Sequence, residues 1–399
     1  MRYISFLSAL LIAGASLPLH AQDITLGGQV RPRFEYREPA GNGDDGATSM
    51  RVRVHLSALL ERNVRVFIQL QDVRFFGEET NTLGDFSADN LDLHQGYLEL
   101  NHSGDAGFAL RVGRQEVNFG GQRLVGAVGW TQQARSFDGA LGRYDWAEGS
   151  VNFFGFKTGE ATSAAVSEDS EFSGAYAQFH GVGGGNLELY GFFRRDLAPT
   201  TDPTADTKEG TAGVRIDGQG GKVKYRFEGT YQFGDRDGVD VEAFMFGGRL
   251  GFVLSPKVTV TAWYDFLSGD DDPTDGTVKV FDTLFPTNHK FYGLADLFLN
   301  IPVHTGGLGL QDIALKGAFK LRDDLSLGID LHQFLFAKEA AGNIRRIGEE
   351  IDVTLSHRYA PNLLIQAGYS YVVQGTGFRD LGSLSEDMQW AYLMLNATF

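Results

Sequence analysis

Hydrophobic and polar residues alternate with a period of two along most of the chain. Between Ile24 and Arg37 the even positions are mostly apolar, while the odd positions carry arginine, glutamine, threonine and glutamate. This is the period of a β-strand, whose successive side chains point to opposite faces. The segments from Thr48 to Glu61 and from Val64 onward repeat it. The pattern predicts a sheet with one apolar and one charged face.

About 18 such segments follow one another, and their connections alternate between short turns and longer acidic, glycine-rich links. Short turns on one side and long loops on the other are typical of outer-membrane barrels. We therefore predict an all-β fold, a transmembrane antiparallel up-and-down β-barrel of about 18 strands with long extracellular loops and short periplasmic turns. The longer links are predicted at residues 38–48, 77–91, 119–134, 159–171, 197–208, 234–240, 268–309, 338–347 and 375–386.

The N-terminus predicts export. Arg2 is followed by an apolar run, Ile4 to Leu17, and by the small residue Ala21. This order is that of a secretory signal peptide, so we assign residues 1–21 to it and residues 22–399 to a transmembrane barrel channel. No later stretch reaches the ~18 apolar residues of a spanning helix. The predicted location is the outer membrane of a Gram-negative cell, in contact with its lipid.

The C-terminus agrees with that location. The last residue, Phe399, ends an alternating segment that begins near residue 387. A terminal aromatic residue on an amphipathic strand resembles the signal that the outer-membrane barrel assembly machinery reads. We therefore expect that machinery as a partner during insertion.

Composition narrows the function further. The chain has 52 glycines, 31 phenylalanines, no cysteine and a formal net charge of −16. Zero cysteine excludes a disulfide framework and thiolate metal sites. The negative charge, without a basic domain, disfavours nucleic acid as a partner. No cofactor motif is present, and the scattered histidines have no adjacent nucleophile, so we predict neither a cofactor nor an enzyme.

The polar faces of the predicted strands nevertheless concentrate positive charge. Rings of arginine and lysine select anions, and the planar arginine fork binds carboxylates through two hydrogen bonds. We therefore predict passive passage of a small anion or an anionic saccharide. The alternative is that these cations pair with acids in the lumen and fill space. The cations are Arg31, Arg33, Arg37, Arg51, Arg53, Arg65, Arg111, Arg215, Lys222, Lys224, Arg226, Lys316 and Lys320.

The glycine-rich stretch from Gly113 to Gly139 is the predicted constriction. It carries Arg114, Arg123, Arg135 and Asp138 where the chain bends. Its glycines permit a tight infold, because glycine adopts backbone conformations that other residues avoid. An infold would place Arg123 over the lumen as a selectivity element.

A calcium site is a weaker hypothesis. Asp270, Asp272 and Asp275 lie in a short acidic run, and hard cations bind clustered carboxylates. The spacing is not that of an EF-hand, and solvated loop carboxylates are the alternative. Two further functions stay open, namely a membrane-embedded hydrolase and an adhesive surface barrel.

Several longer motifs resemble one family. They are RVRVHLSALLERNVRVFIQLQDVRFFG from Arg51, DLHQGYLEL from Asp92, GRQEVNFGGQRLVG from Gly113 with RSFDG after it, and FPTNHKFYGLADLF from Phe285. Together they are similar to the alginate-export outer-membrane family. The resemblance implies a monomeric 18-stranded barrel with a narrow, arginine-rich pore for an acidic, uronate-type polysaccharide.

The resemblance also assigns roles to individual residues. It implies that Asp72 and Arg74 line or brace the constriction together with the charged residues of the Gly113–Gly139 stretch. It further implies that His289, Tyr292 and Asp296 belong to a loop that folds over or into the pore. The periplasmic turns all read as short here, whereas the alginate exporter has a long one. A general porin for small anions or oligosaccharides is therefore the rival interpretation.

Overall fold

The computed structural model describes residues 21–39, 46–77, 91–102, 104–160, 169–197 and 206–399. These residues form one sheet in which each long strand pairs antiparallel with the next long strand along the chain. The last strand pairs with the first, for example at Phe34 and Leu393, so the sheet closes on itself. The closed barrel has 18 strands, which confirms the predicted fold class. Residues 1–20 of the predicted signal peptide lie outside the described residues, and its last residue, Ala21, is the first of the strand Ala21–Glu38.

A nineteenth strand, β14 (Thr277–Val278), is two residues long, pairs in parallel with β12 (Val239–Ser255) and belongs to a loop. The barrel strands are β1 (Ala21–Glu38), β2 (Gly46–Leu60), β3 (Val64–Phe75), β4 (Leu91–Leu100), β5 (Gly107–Gln115), β6 (Phe137–Trp146), β7 (Gly149–Gly159), β8 (Ser170–Val182), β9 (Gly185–Asp196), β10 (Thr207–Gly220), β11 (Val223–Arg236), β12 (Val239–Ser255), β13 (Val258–Leu267), β15 (Leu310–Lys320), β16 (Leu325–Ala340), β17 (Ile344–Ala360), β18 (Leu363–Gln374) and β19 (Met388–Thr398).

Alternation along the strands sorts side chains between the two faces of the wall. Leu26 and Phe34 on β1 are 72% and 47% exposed on the outer face, whereas Arg31 and Arg33 are 4% and 7% exposed. An outward apolar face meets lipid, and an inward polar face meets the lumen. The charge separation predicted from the sequence is therefore present on β1.

Two of the predicted long links are wrong. Strands β11 and β12 continue to Arg236 and from Val239, so the link at 234–240 is a turn of two residues, Asp237 and Gly238, with φ of 54° and 78°. Aspartate followed by glycine tolerates the positive φ that a two-residue hairpin needs. The link at 338–347 likewise shrinks to three residues, because β16 reaches Ala340 and β17 begins at Ile344.

Among the described residues, helical structure is confined to the connections. Two short helices, Ile301–His304 and Thr376–Asp380, lie in loops, and single 3₁₀ turns occur at Glu61–Asn63 and Asn288–Lys290. In the described part of the chain, no helix is both long enough and apolar enough to cross a membrane.

Candidate functional site

Two loops from the long-loop side turn into the barrel and pair with each other. We call residues 116–136 the first inward loop and residues 268–309 the second inward loop. The Phe285 amide donates to the Leu124 carbonyl at 2.9 Å, and the Gly126 amide donates to the Phe285 carbonyl at 2.8 Å. The Thr287 amide also donates to the Gln122 carbonyl at 2.9 Å. These bonds satisfy backbone groups that the lumen would otherwise leave unpaired.

The arginines of β1 and β2 hold the first inward loop by its carbonyl groups. Arg31 donates to the carbonyl oxygens of Gly129, Trp130 and Thr131 at 2.7, 3.0 and 2.8 Å. Arg51 donates to Thr131 at 3.1 Å and to the next carbonyl at 3.2 Å. Arg33 adds a bond to Trp130 at 2.8 Å. These three side chains face the lumen, as predicted, and each donates to the loop, while Arg33 also pairs with Glu35 and Arg51 also donates to Gln29.

The other two predicted arginines on this wall are ion-paired. Arg53 donates to Glu116 at 3.1 Å and contacts His94 at 2.8 Å. Arg65 lies 3.8 Å from Glu99. The second interpretation of the lumen cations, pairing with acids, therefore describes this side of the barrel.

Arg123 does not hang over the lumen as predicted. It is only 2% exposed, and its guanidinium makes two bonds to Asp265 at 2.7 and 2.9 Å. It also donates to Glu228 at 3.2 Å, and its bond to the Tyr292 hydroxyl is 2.7 Å. Burial opposes the charge, but Asp265, Tyr292 and Glu228 outweigh it and raise the pKa of Arg123 well above its ordinary value. Arg123 is thus a buried anchor of the first inward loop.

The remaining predicted loop residues also join the two loops. Arg135 donates to the carbonyls of Gly126 and Pro286 at 3.1 and 3.2 Å, and burial lowers its pKa to about 10. His289 hydrogen-bonds Asp296 at 2.7 Å and stacks on Trp130, with ring centroids 4.0 Å apart. The loop at 268–309 folds into the pore, as the resemblance implies, and these side chains pack it in place.

Four predicted pore residues lie on the outer face of the barrel. Asp72 and Arg74 lie two and four residues after Leu70 on β3, so their side chains point to the same face as that of Leu70, which is 42% exposed. Gln71 points to the lumen, where it accepts a hydrogen bond from Arg53 at 2.7 Å. A one-residue error in parity moves a side chain to the opposite face. Asp72 and Arg74 therefore pair with each other on the outer face, with Nε 2.8 Å from the carboxylate.

Arg114 and Asp138 are the other outward pair. They are register partners on β5 and β6, joined at 2.6 Å, and Arg114 has the parity of the exposed Val112. We expect Arg114→Ala to leave conductance and ion selectivity at wild-type values, because its charge lies on the outer face of the wall. Planar-bilayer recording measures both. A change of selectivity in this variant would mean that Arg114 faces the pore.

The candidate calcium residues do not converge. Asp270 accepts hydrogen bonds from the backbone amides of Asp272 and Lys279, and Asp275 is ion-paired with Lys279. Among the described residues no group of three or more acidic, histidine or cysteine side chains could hold a metal ion. Each carboxylate instead orders its own turn, so the calcium hypothesis is wrong.

Carboxylates on β17 hold the second inward loop by its amide groups. The Ala295 amide donates to Glu350 at 2.8 Å, and the Leu294 amide donates to Asp352 at 3.2 Å. Arg37 donates to the Ala295 carbonyl through both terminal nitrogens, at 3.1 Å each. Arginines thus hold the first inward loop through its carbonyl oxygens, and carboxylates hold the second inward loop chiefly through its amide groups.

Aromatic side chains from β7, β8 and β9 fill part of the lumen. Phe119 of the first inward loop stacks on Tyr176 with centroids 4.8 Å apart, and Phe285 of the second contacts Phe172 at the same distance. Phe172 is fully buried, as are Phe154 and Phe192 to within a few per cent. Close-packed apolar contacts of this kind are typical of a protein core. The two loops and these strands therefore form a plug with its own hydrophobic core.

A basic chamber lies on the short-turn side of this plug. We define it by Lys224, Arg226, Arg249, Trp263 and Lys316, which line a cavity of about 490 Å³. Arg226 and Arg249 are direct register partners on β11 and β12. The Arg249 guanidinium lies 3.3 Å from the centre of the Trp263 ring, and the Lys316 ammonium lies 4.5 Å from it.

Neither chamber arginine forms an ion pair in the part of the chain that the structure describes, although Asp217 on β10 is the register partner of Arg226. Lys316, in contrast, pairs with Asp330 at 2.9 Å. Lys290 of the second inward loop adds a charge beside the chamber. Burial, followed by the fields of Arg226, Arg249, Arg215 and Arg123, lowers the pKa of Lys290 to about 8.

The sequence identified Lys224, Arg226 and Lys316 as inward cations but missed Arg249, Lys290 and Trp263. Arg249 could have been found, because it lies four residues after Met245 on β12 and therefore points to the same, inner face. Met245 is 2% exposed, whereas the outward Phe246 is 46% exposed. Nothing in the local pattern around Lys290 shows that a long loop brings it beside two strand arginines.

Comparisons with known proteins agree with this architecture. OccAB1 of Acinetobacter baumannii matches with a TM-score of 0.66 at 11% identity, covering 96% of this chain and 98% of that one. OpdO of Pseudomonas aeruginosa matches with 0.65 at 15% identity, covering 95% and 98%. The outer membrane protein OprD of Pseudomonas aeruginosa gives 0.63 at 11% identity, covering 96% of each chain. At such identities the likeness shows the fold alone.

The sequence itself gives the family. No curated protein matches it. The family model described as alginate export matches residues 22–391, which is nearly the whole chain. This protein therefore belongs to the alginate-export family of outer-membrane β-barrels.

Proposed function

We propose that this protein is a passive outer-membrane channel that prefers anions, with sugar acids as its solute class. The observation that carries the proposal is the cross-strand pair Arg226–Arg249. Like charges directly opposite each other destabilise a sheet. Neither arginine forms an ion pair in the described residues, because Asp217, the acid opposite Arg226 on β10, is paired with Arg215 at 2.9 Å. A pair of this kind that lines an open cavity is suited to an anionic solute.

The chemistry of the chamber agrees with a carboxylate. Arginine forms two parallel hydrogen bonds to a carboxylate, and cationic side chains in a pore select anions. The family description, alginate export, names an acidic polysaccharide, which supports uronate chemistry as the class. The family is one of transport proteins, and the candidate site offers binding and passage rather than a nucleophile with its base.

Liposome swelling tests the solute class. We expect vesicles containing the protein to admit D-glucuronate faster than D-glucose, because the two sugars are similar in size and differ in the carboxylate. Vesicles without protein give the background rate. Equal rates for the two sugars, or faster entry of glucose, would remove the proposed anion preference.

The charge on Lys290 makes the preference depend on pH. With a pKa of about 8, this ammonium is charged at pH 7 and mostly neutral at pH 9. A unit charge 4 Å away in a water-like dielectric contributes about 1 kcal/mol, so its loss lowers local anion occupancy by about fivefold at most. We expect chloride preference to fall between these pH values in bilayer recordings. Lys290→Gln is expected to start from the lower value and to change less with pH than the wild type.

A further inference from the structure

On the long-loop side of the chamber, the plug fills the part of the lumen that a polymer would have to cross. The first and second inward loops share backbone hydrogen bonds, and the bridge between Val125 and Phe285 runs parallel. Phe119 and Phe285 lie within the aromatic core from β7 to β9. Passage of a polysaccharide along this half of the lumen requires that core to come apart. The plug is therefore the first constraint on solute size.

The roof of the chamber is made of buried side chains. Phe291 and Tyr292 are each 1% exposed, and Arg249 lies 5.3 Å from the Phe291 ring. Gly121 of the first inward loop approaches from above, since a Cβ placed there would lie 3.4 Å from an Arg226 nitrogen. The buried Arg123–Asp265 pair fixes this arrangement at 2.7 Å. The two inward loops therefore lie over the chamber on its long-loop side.

The opposite end of the chamber reaches the short turns. Its lining includes Gly184 and Gly185 at the turn between β8 and β9, and Gly218 and Gln219 near the turn between β10 and β11. Short turns of an outer-membrane barrel face the periplasm. The one acid of the lining, Asp217, is paired with Arg215 at 2.9 Å. A solute thus meets the basic chamber from the periplasmic end.

We propose that the chamber is a one-sided binding site for a compact sugar acid, entered from the periplasmic end, and that polymeric alginate does not thread this barrel. The inference rests on the proposed anion preference and adds the size of the ligand and its side of entry. A cavity of about 490 Å³ is in the size range of small-molecule sites. The paired arginines bind the carboxylate, and the roof limits the length of the sugar.

Single-channel recording with addition of a probe to one side tests the proposal. The chain has no cysteine, so Asp323→Cys, at a fully exposed side chain in a short turn, identifies the orientation of each channel. A membrane-impermeant thiol reagent labels it from one compartment only. D-glucuronate is then added to either side, and high-molecular-weight alginate is tested separately by its release from proteoliposomes.

We expect D-glucuronate to interrupt the current from the short-turn side and not, at the same concentration, from the long-loop side. The interruptions should weaken about fivefold for the loss of each charge, in Arg249→Gln and in Lys290→Gln. Arg114→Ala, on the outer face, should retain them. Alginate should stay inside the vesicles.

Two results would overturn the inference. Equal interruption from both sides would show that the roof does not close the chamber, and release of alginate would show that a polymer passes. Reversal potentials from the same channels distinguish failure of this inference from failure of the proposed anion preference. If the channel prefers anions but D-glucuronate interrupts the current equally from both sides, only this inference is wrong. If the channel does not prefer anions, the proposed function is wrong as well.

Discussion

Replacement of Arg123 by methionine is expected to destabilise the plug more than any other single change in the lumen. The substitution keeps the length of the side chain but leaves Asp265 and Glu228 buried without their cation. Removal of one partner from a buried ion pair costs about 3–5 kcal/mol, because the remaining charge is uncompensated. We expect a lower urea midpoint in lipid vesicles, together with a larger and noisier conductance as both inward loops loosen.

A rim arginine provides the matched control. Arg322 makes two bonds of 3.0 Å to Asp324, but its side chain is 61% exposed. Exposed pairs contribute little, so Arg322→Met should unfold and conduct like the wild type. Adding Asp265→Leu to Arg123→Met should recover part of the lost stability, because it removes the stranded charge. If Arg123→Met matched Arg322→Met in both assays, Arg123 would not anchor the plug.

The second large effect is expected on ion selectivity. Arg226→Gln combined with Arg249→Gln removes both cross-strand charges of the basic chamber while keeping polar side chains of similar length. At about 1 kcal/mol for each charge near a permeating anion, the double variant should lose on the order of 25-fold in anion preference. The reversal potential in a potassium chloride gradient measures the change.

The two single variants should each lose about fivefold, and the logarithms of these losses should add if both charges act on one anion. The double exchange also relieves like-charge repulsion, so the stability of the barrel should not fall. Unchanged selectivity in the double variant would place the selective step elsewhere in the lumen. Arg53→Gln, at a cation already paired with Glu116, is the control for loss of any lumen arginine.

Most of the barrel could be predicted from local pattern. The alternation of apolar and polar residues, and that of short turns with long loops, can be recognised from neighbouring residues, and the structure contains both. The two errors in loop length arose where local turn chemistry was present but not used, as at Asp237–Gly238. The positive φ at both residues is the property that an Asp-Gly pair signals.

The site was harder to predict because it depends on contacts between distant segments. Arg123 finds Asp265 across 142 residues of sequence, and Arg31 finds the Gly129 carbonyl across 98. Alternation shows which side chains point inward but not which of them a returning loop will occupy. The pore roles given to Asp72 by the family resemblance and to Arg114 by its place in the glycine-rich stretch were wrong, because alternation counted from the apolar neighbours already places both on the outer face.

The structure divides the lumen cations into two classes with different consequences. Those on β1 and β2 hold a loop, as Arg31 does through three carbonyls, and their replacement should affect the plug. Those at Arg226 and Arg249 line the open chamber, and their replacement should affect solutes. A count of inward arginines from sequence cannot make this distinction.

The sign of the reversal potential of the wild-type channel tests the central claim most directly. Purified protein in a neutral planar bilayer, at pH 7 and in an asymmetric potassium chloride gradient, should give a potential displaced toward the equilibrium potential of chloride. A potential displaced toward that of potassium, or one at zero, would contradict an anion-preferring channel.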